Sequence, residues 1–182
     1  MAKMYWEKDA KPQALKGRRI AVLGYGSQGR AHALNLRDSK FEVVVGLRRG
    51  GPTWKQAEED GWKPLVPAEA SHGADVIVML APDMAQPALY NNDVASNLKP
   101  GTMLLFSHGF NVHYGQIVPP ANVDVTMVAP KGPGNLVRRQ YDVDAASCRG
   151  MLGHSGILGG ILVLRQRDAA LGFDRLQALG AV

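Results

Sequence analysis

The chain has 182 residues, 46% hydrophobic and 20% charged, with 21 Lys plus Arg against 16 Asp plus Glu. That length bounds it to one domain or slightly more, enough to bury a core, and the composition excludes a disordered chain. Cys148 is the single cysteine, which excludes an intrachain disulfide, and no apolar run approaches the roughly 20 residues of a membrane span.

Residues 1–9 carry charges of both signs and no apolar stretch, so they do not read as a secretory signal. The expectation is a soluble, cytoplasmic protein with no membrane partner. Seventeen of the basic and twelve of the acidic side chains lie in residues 1–141, so the positive excess lies there too. No dense Lys/Arg run with interleaved aromatics appears, which argues against nucleic acid and leaves an anionic small ligand open.

The first apolar run, Ile20 to Leu23, leads directly into Gly24-Tyr25-Gly26-Ser27-Gln28-Gly29, a GxGxxG element. Alone such a match is weak. Here it follows a predicted strand and opens a predicted helix over Gln28 to Arg37, the context in which it cradles a pyrophosphate. Gly24 permits the tight turn, Gly26 lets backbone approach the phosphates, and Gly29 lets helix pack on strand. The helix N-terminus adds free N–H groups and partial positive charge.

The second run, Val43 to Val45, ends in Arg48-Arg49-Gly50-Gly51-Pro52-Thr53. A site for NAD usually has an acid there. Two guanidinium groups and a hydroxyl suit a 2′-phosphate instead, so NADPH is preferred over NADH. A solvated basic loop is the competing reading. A short amphipathic helix is predicted over Trp54 to Asp60.

The third run, Val76 to Leu80, is followed by Asp83-Met84-Ala85-Gln86, which either lines the ligand crevice or forms an ordinary turn capped by Asp83. A helix is predicted over Gln86 to Leu98, with Leu89, Tyr90, Val94 and Leu98 on one stripe. The fourth run, Met103 to Phe106, leads to Ser107-His108-Gly109-Phe110-Asn111. The fifth, Val125 to Ala129, leads to Pro130-Lys131-Gly132-Pro133-Gly134. A strand-end histidine can exchange protons near neutral pH, and a lysine can hold an oxyanion. His32, His72 and His113 read as structural or exposed.

Short β-branched runs that are apolar on both faces, alternating with helical stretches, predict an α/β fold. It is a doubly wound, mostly parallel Rossmann-like sheet with helices on both faces. Residues 142–182 differ in character, with no Lys, Glu, Trp or Tyr and seven Gly. They suggest one more strand within 156–164 and a closing helix over Asp168 to Leu179.

Across about residues 3–141 these motifs, in this order, resemble ketol-acid reductoisomerase (acetohydroxyacid isomeroreductase). The resemblance rests on the 24–29 turn with Ala31-His32-Ala33-Leu34-Asn35-Leu36, and on Val45-Gly46-Leu47-Arg48. It extends through Ser107-His108-Gly109-Phe110-Asn111-Val112-His113-Tyr114 and Met127 to Gly134 with Val137-Arg138.

The resemblance implies Mg²⁺-dependent alkyl migration in 2-acetolactate or 2-aceto-2-hydroxybutyrate, then hydride transfer from NADPH, in branched-chain amino-acid biosynthesis. It implies cofactor contacts at Tyr25, Gly26, Ser27, Gln28, Arg48, Gly51, Thr53, Asp83 to Gln86 and Gly134. It makes His108 the active-site histidine and places Lys131 near metal and substrate. Arg30 departs from a common His, and Gly51 from a Ser that commonly helps hold the phosphate. Pro52 stiffens the same loop.

In the family, carboxylates of a knotted helical domain hold the Mg²⁺, and no metal ligands are expected within these 182 residues. Three readings follow: an NADPH-binding portion that is inactive alone, a non-catalytic dinucleotide-binding module, or an enzyme completed in trans by a partner carrying the helical domain. Some self-association is expected through apolar surface left open.

Overall fold

The computed structural model describes residues 12–129, 132–147, 161–164 and 177–179. Its spine alternates strands and helices as the apolar runs require. The order is β1 (Arg19–Leu23), α1 (Ser27–Asp38), β2 (Glu42–Gly46), α2 (Pro52–Glu59), α3 (Pro67–Ser71) and β3 (Val76–Met79). It continues with α4 (Gln86–Leu89), β4 (Met103–Phe106), α5 (Phe110–His113), β5 (Asp124–Val128), α6 (Gly134–Ser147), β6 (Ile161–Leu164) and β7 (Gln177–Leu179).

These strands form one sheet in the order β2-β1-β3-β4-β5-β6-β7. The first five are mutually parallel, with Val22 opposite both Val45 and Val78, and Met79 opposite Phe106. β6 and β7 pair antiparallel.

Alternate residues of β1 bury on opposite faces. Ala21 and Leu23 join Ile77, Met79, Leu104, Phe106, Tyr90 and Val94 in one cluster. Ile20 and Val22 join Val45, Val76, Val78, Ala33 and Ala57 in the other. A strand apolar on both sides needs cover on both sides, and helices supply it, so the doubly wound, Rossmann-like prediction holds. Because β2 and β3 flank β1, the connections after β1 and β3 diverge. A crevice opens there at the carboxyl edge.

Three expectations change. The helix predicted over Gln86 to Leu98 is a composite. A 3-10 turn at Asp83–Ala85 precedes α4, a π turn follows at Tyr90–Val94, and a 3-10 turn closes it at Ala95–Asn97. The stripe survives, with Tyr90 and Val94 buried and Leu89 and Leu98 packed against the same cluster.

The boundary drawn at Tyr141 falls inside α6, whose first turn is closed by Pro133, its carbonyl accepting from the Leu136 and Val137 N–H groups. Sequence periodicity did not announce this helix. Gln177–Leu179, expected in a closing helix, is strand instead, because its backbone pairs with β6 at Leu179–Ile161 and Gln177–Val163. The rest of that expected helix lies outside the described residues. The extra strand anticipated within 156–164 is β6 at Ile161–Leu164.

Candidate functional site

The 24–29 turn has the geometry its glycines call for. Gly24 takes φ +105°, where a side chain is strained, and a Cβ on it would stand 2.6 Å from the Ala81 nitrogen. A Cβ on Gly29 would strike the Gly24 carbonyl, so only glycine lets α1 start this close to β1. Above Gly26 there is open space. Gly26 is the N-cap of α1 and supplies no side-chain cap, which leaves first-turn N–H groups available to an anion.

The Tyr25 ring points inward and is buried. Its hydroxyl donates to Asp60 Oδ2 at 2.9 Å and accepts from Trp62 Nε1 at 2.7 Å. Arg30, the departure noted just past the turn, forks onto the same carboxylate at 2.6 and 2.8 Å. Burial, then the hydrogen bond to Asp60, pushes the Tyr25 hydroxyl above its ordinary range. The Arg30 fork holds Asp60 below the usual carboxylate range. Tyr25 can therefore meet a ligand through its backbone, not its ring.

The loop after β2 turns tightly, with the Gly51 N–H donating to the Arg48 carbonyl at 3.0 Å. Arg48 and Arg49 are exposed. Gly51 caps α2, Pro52 opens it, and Thr53 sits in its first turn. Two unburied guanidinium groups thus flank a helix N-terminus, an arrangement suited to a phosphate.

The loops after β3 and β4 are tied together from below. Asn111 Nδ2 donates to the Asp83 carbonyl at 2.9 Å and to Gln86 Oε1 at 3.0 Å. Gln86 Nε2 donates to the Ala81 carbonyl at 2.8 Å. Both side chains are buried. Gln86, expected at the cofactor, turns its amide inward as a brace, while Met84 is 87% exposed at the rim and Ala85 is exposed beside it.

His108 stands exposed above this brace. Its Nδ1 accepts the Phe110 N–H at 3.3 Å and lies 3.6 Å from Asp83 Oδ2. The second distance is too long for a hydrogen bond, so the first sets the neutral tautomer, with its proton on Nε2. Beneath the histidine, Ser107 Oγ is buried without a hydrogen-bond partner among the described residues.

The loop after β5 meets the glycine turn. Gln28 Nε2 donates to the Gly132 carbonyl at 2.7 Å, while Gln28 Oε1 is buried without a partner among the described residues. A Cβ on Gly134 would strike the Ser27 carbonyl, so α6 starts against α1. Arg138 then binds Asn35 at 2.9 Å and Asp38 at 2.7 Å along the same pair of helices. Lys131 lies outside the described residues. His32 is buried, and His72 and His113 are exposed.

The structure thus brings the glycine turn, the arginine loop, the Asp83–Gln86 loop and His108 to one sheet edge. Sequence reasoning missed Asp60, Trp62 and Asn111. Asp60 gave no signal, because it caps the far end of α2, outside the motif residues at the start of that helix. Among the described residues no three His, Cys, Asp or Glu side chains group to hold a metal ion, and none of their helices is long and apolar enough to cross a membrane.

Such a sheet, with an open glycine turn at its switch point, defines a dinucleotide-binding domain of the Rossmann class. The family model described as the NADPH-binding domain of acetohydroxy acid isomeroreductase matches residues 14–149, and the chain belongs to that family. Its ligand class is accordingly a nicotinamide dinucleotide.

An NADH-preferring ketol-acid reductoisomerase from an uncultured archean is 44% identical with a TM-score of 0.73, over 75% of this chain and 43% of that one. The chain therefore spans less than half the length of that relative. A semialdehyde dehydrogenase NAD-binding protein from Cupriavidus necator matches with a TM-score of 0.58 at 22% identity, over 68% of this chain and 48% of its own. A 3-hydroxyisobutyrate dehydrogenase from Mycobacterium tuberculosis matches with 0.53 at 20%, over 67% and 43%. These two share the fold alone.

Proposed function

We propose that this chain is the NADPH-binding part of a ketol-acid reductoisomerase, acting on 2-acetolactate or 2-aceto-2-hydroxybutyrate in branched-chain amino-acid biosynthesis in the cytoplasm. The observation that carries the cofactor choice is the Arg48–Thr53 loop at the end of β2. It offers two exposed guanidinium groups where an NAD site would offer an acid. Gly24, Gly26, Ser27, Gln28 and Gly29 would hold the pyrophosphate, and Arg48, Arg49, Gly51 and Thr53 the 2′-phosphate. Asp83 to Gln86 and Gly134 would border the rest.

Bound NADPH supplies a hydride. His108, whose Nδ1 accepts the Phe110 N–H, would exchange a proton with the substrate, and Lys131 would steady its negative charge. The described residues do not fit a divalent-cation site, so the family's magnesium chemistry is not assigned to them. A partner carrying a helical domain, or a second copy of the chain, would meet the exposed apolar residues Phe110, Tyr114 and Leu136.

Fluorescence titration with NADPH and NADH tests the reading. The wild type should bind NADPH more tightly. The double variant Arg48→Ala with Arg49→Ala should lose about tenfold or more for NADPH and little for NADH, since charge-assisted phosphate contacts are lost. Unchanged NADPH affinity would sink the 2′-phosphate assignment.

A further inference from the structure

We propose that Asp60 is a positioning residue of the cofactor cradle, setting the spacing between the turn that holds the pyrophosphate and the loop that holds the 2′-phosphate. The inference rests on the preceding reading of those two segments.

Asp60 is the residue that ends α2, while the arginine loop and Thr53 stand at the start of α2. Four donations tie it to the other segment. Tyr25, inside the glycine turn, gives its hydroxyl proton to Oδ2 at 2.9 Å. Arg30, one residue past the turn, forks onto both carboxylate oxygens. Arg37 Nη1, further along α1, reaches the Asp60 carbonyl at 2.7 Å. Trp62 closes the cluster from the far side. Its indole N–H is on the Tyr25 hydroxyl, and its ring lies under the Arg37 guanidinium at 4.7 Å.

The Asp60 side chain is 13% exposed and its bond with Tyr25 is partly buried, while the Arg30 side of the fork faces water. A carboxylate bound by a planar guanidinium fork and a phenol at once has its orientation set by both. α2 is a single helix of eight residues, so a shift at its Asp60 end moves its phosphate-facing end relative to Gly26. A ligand that bridges the glycine turn and the arginine loop, as NADPH would, senses that spacing. NADH lacks the 2′-phosphate and senses it less.

The test uses the full chain and two variants, Asp60→Asn and Arg30→Gln, each checked by circular dichroism at the assay temperature. Arg30 is half-exposed, so its variant keeps the fold testable if the Asp60 variant does not. Dissociation constants are measured for NADPH and NADH. The expected result is NADPH affinity lowered about tenfold and NADH affinity lowered less than about threefold, with both variants folded. A residue that only braced the fold would lower the melting temperature and leave both affinities alone. That outcome overturns the inference, as does equal weakening for both nucleotides. A wild type that binds neither nucleotide overturns the functional reading first, and this inference with it. A wild type that binds while both folded variants match it overturns the inference alone.

Discussion

Gln28 Nε2 donates to the Gly132 carbonyl at 2.7 Å, joining the turn after β1 to the loop after β5 across 104 residues of chain. This bond sits beside the contact of Gly134 with the Ser27 backbone. Together they set how closely α6 approaches the open end of the glycine turn.

Gly134→Ala should separate α6 from α1. A methyl group there has no space, and the atoms it meets are backbone, which cannot swing aside. Overpacking of this kind costs about 1–3 kcal/mol. Chemical denaturation should show a loss in that range, with weaker NADPH binding in the folded protein. A variant as stable as wild type would show that the helix pair is loose.

Asn111→Ala should destabilise the protein by about 1–3 kcal/mol, because Gln86 Oε1 and the Asp83 carbonyl would lose a donor in a buried place. Asn111→Asp should be comparably costly, since a carboxylate cannot donate to those two acceptors. Urea midpoints check both. Nitrogen-detected NMR of the His108 ring, whose neutral tautomer should be Nε2–H in wild type, checks whether the histidine loop shifts with them.

Burial holds the His32 imidazole below its ordinary range of about 6.5. Below that pH the unfolded chain takes up a proton that the folded chain resists, so stability should fall as pH drops under about 6.5. The Arg30 fork on Asp60 and the Arg19 backbone N–H on Asp75 lower those carboxyls, so their contributions should disappear only below about 3.8. Thermal midpoints from pH 8 to 3 should therefore show two steps. His32→Gln should remove the upper one and keep the lower.

The five parallel strands, the phosphate turn and the arginine loop were legible because each is a local pattern. Val76 to Met79 bury on both sides of a sheet and are apolar for that reason. The three glycines of the turn answer steric demands within a few residues of themselves. The composite helix over 83–97 kept its apolar stripe legible but hid its π turn, since buried positions constrain spacing only loosely. α6 escaped although Val137 is buried, because the side-chain bonds its described residues make toward α1 are polar and long-range, from Arg138 to Asn35 and Asp38 and from Tyr141 to Ser39 at the end of α1.

By itself, the sequence determined the layer architecture, the sheet edge that gathers the glycine turn, the arginine loop and the histidine loop, and the class of ligand. Burial of apolar side chains and the freedom of glycine are written residue by residue. Only the tertiary structure decided which polar groups satisfy one another. It turned Tyr25 and Gln86 inward, set Asn111 between two loops and brought Asp60 beneath the glycine turn. It also put Gln177–Leu179 in a strand rather than a helix. Each is a long-range pairing, chosen by which donor and acceptor meet after the chain has closed its loops, and no local pattern carries that choice.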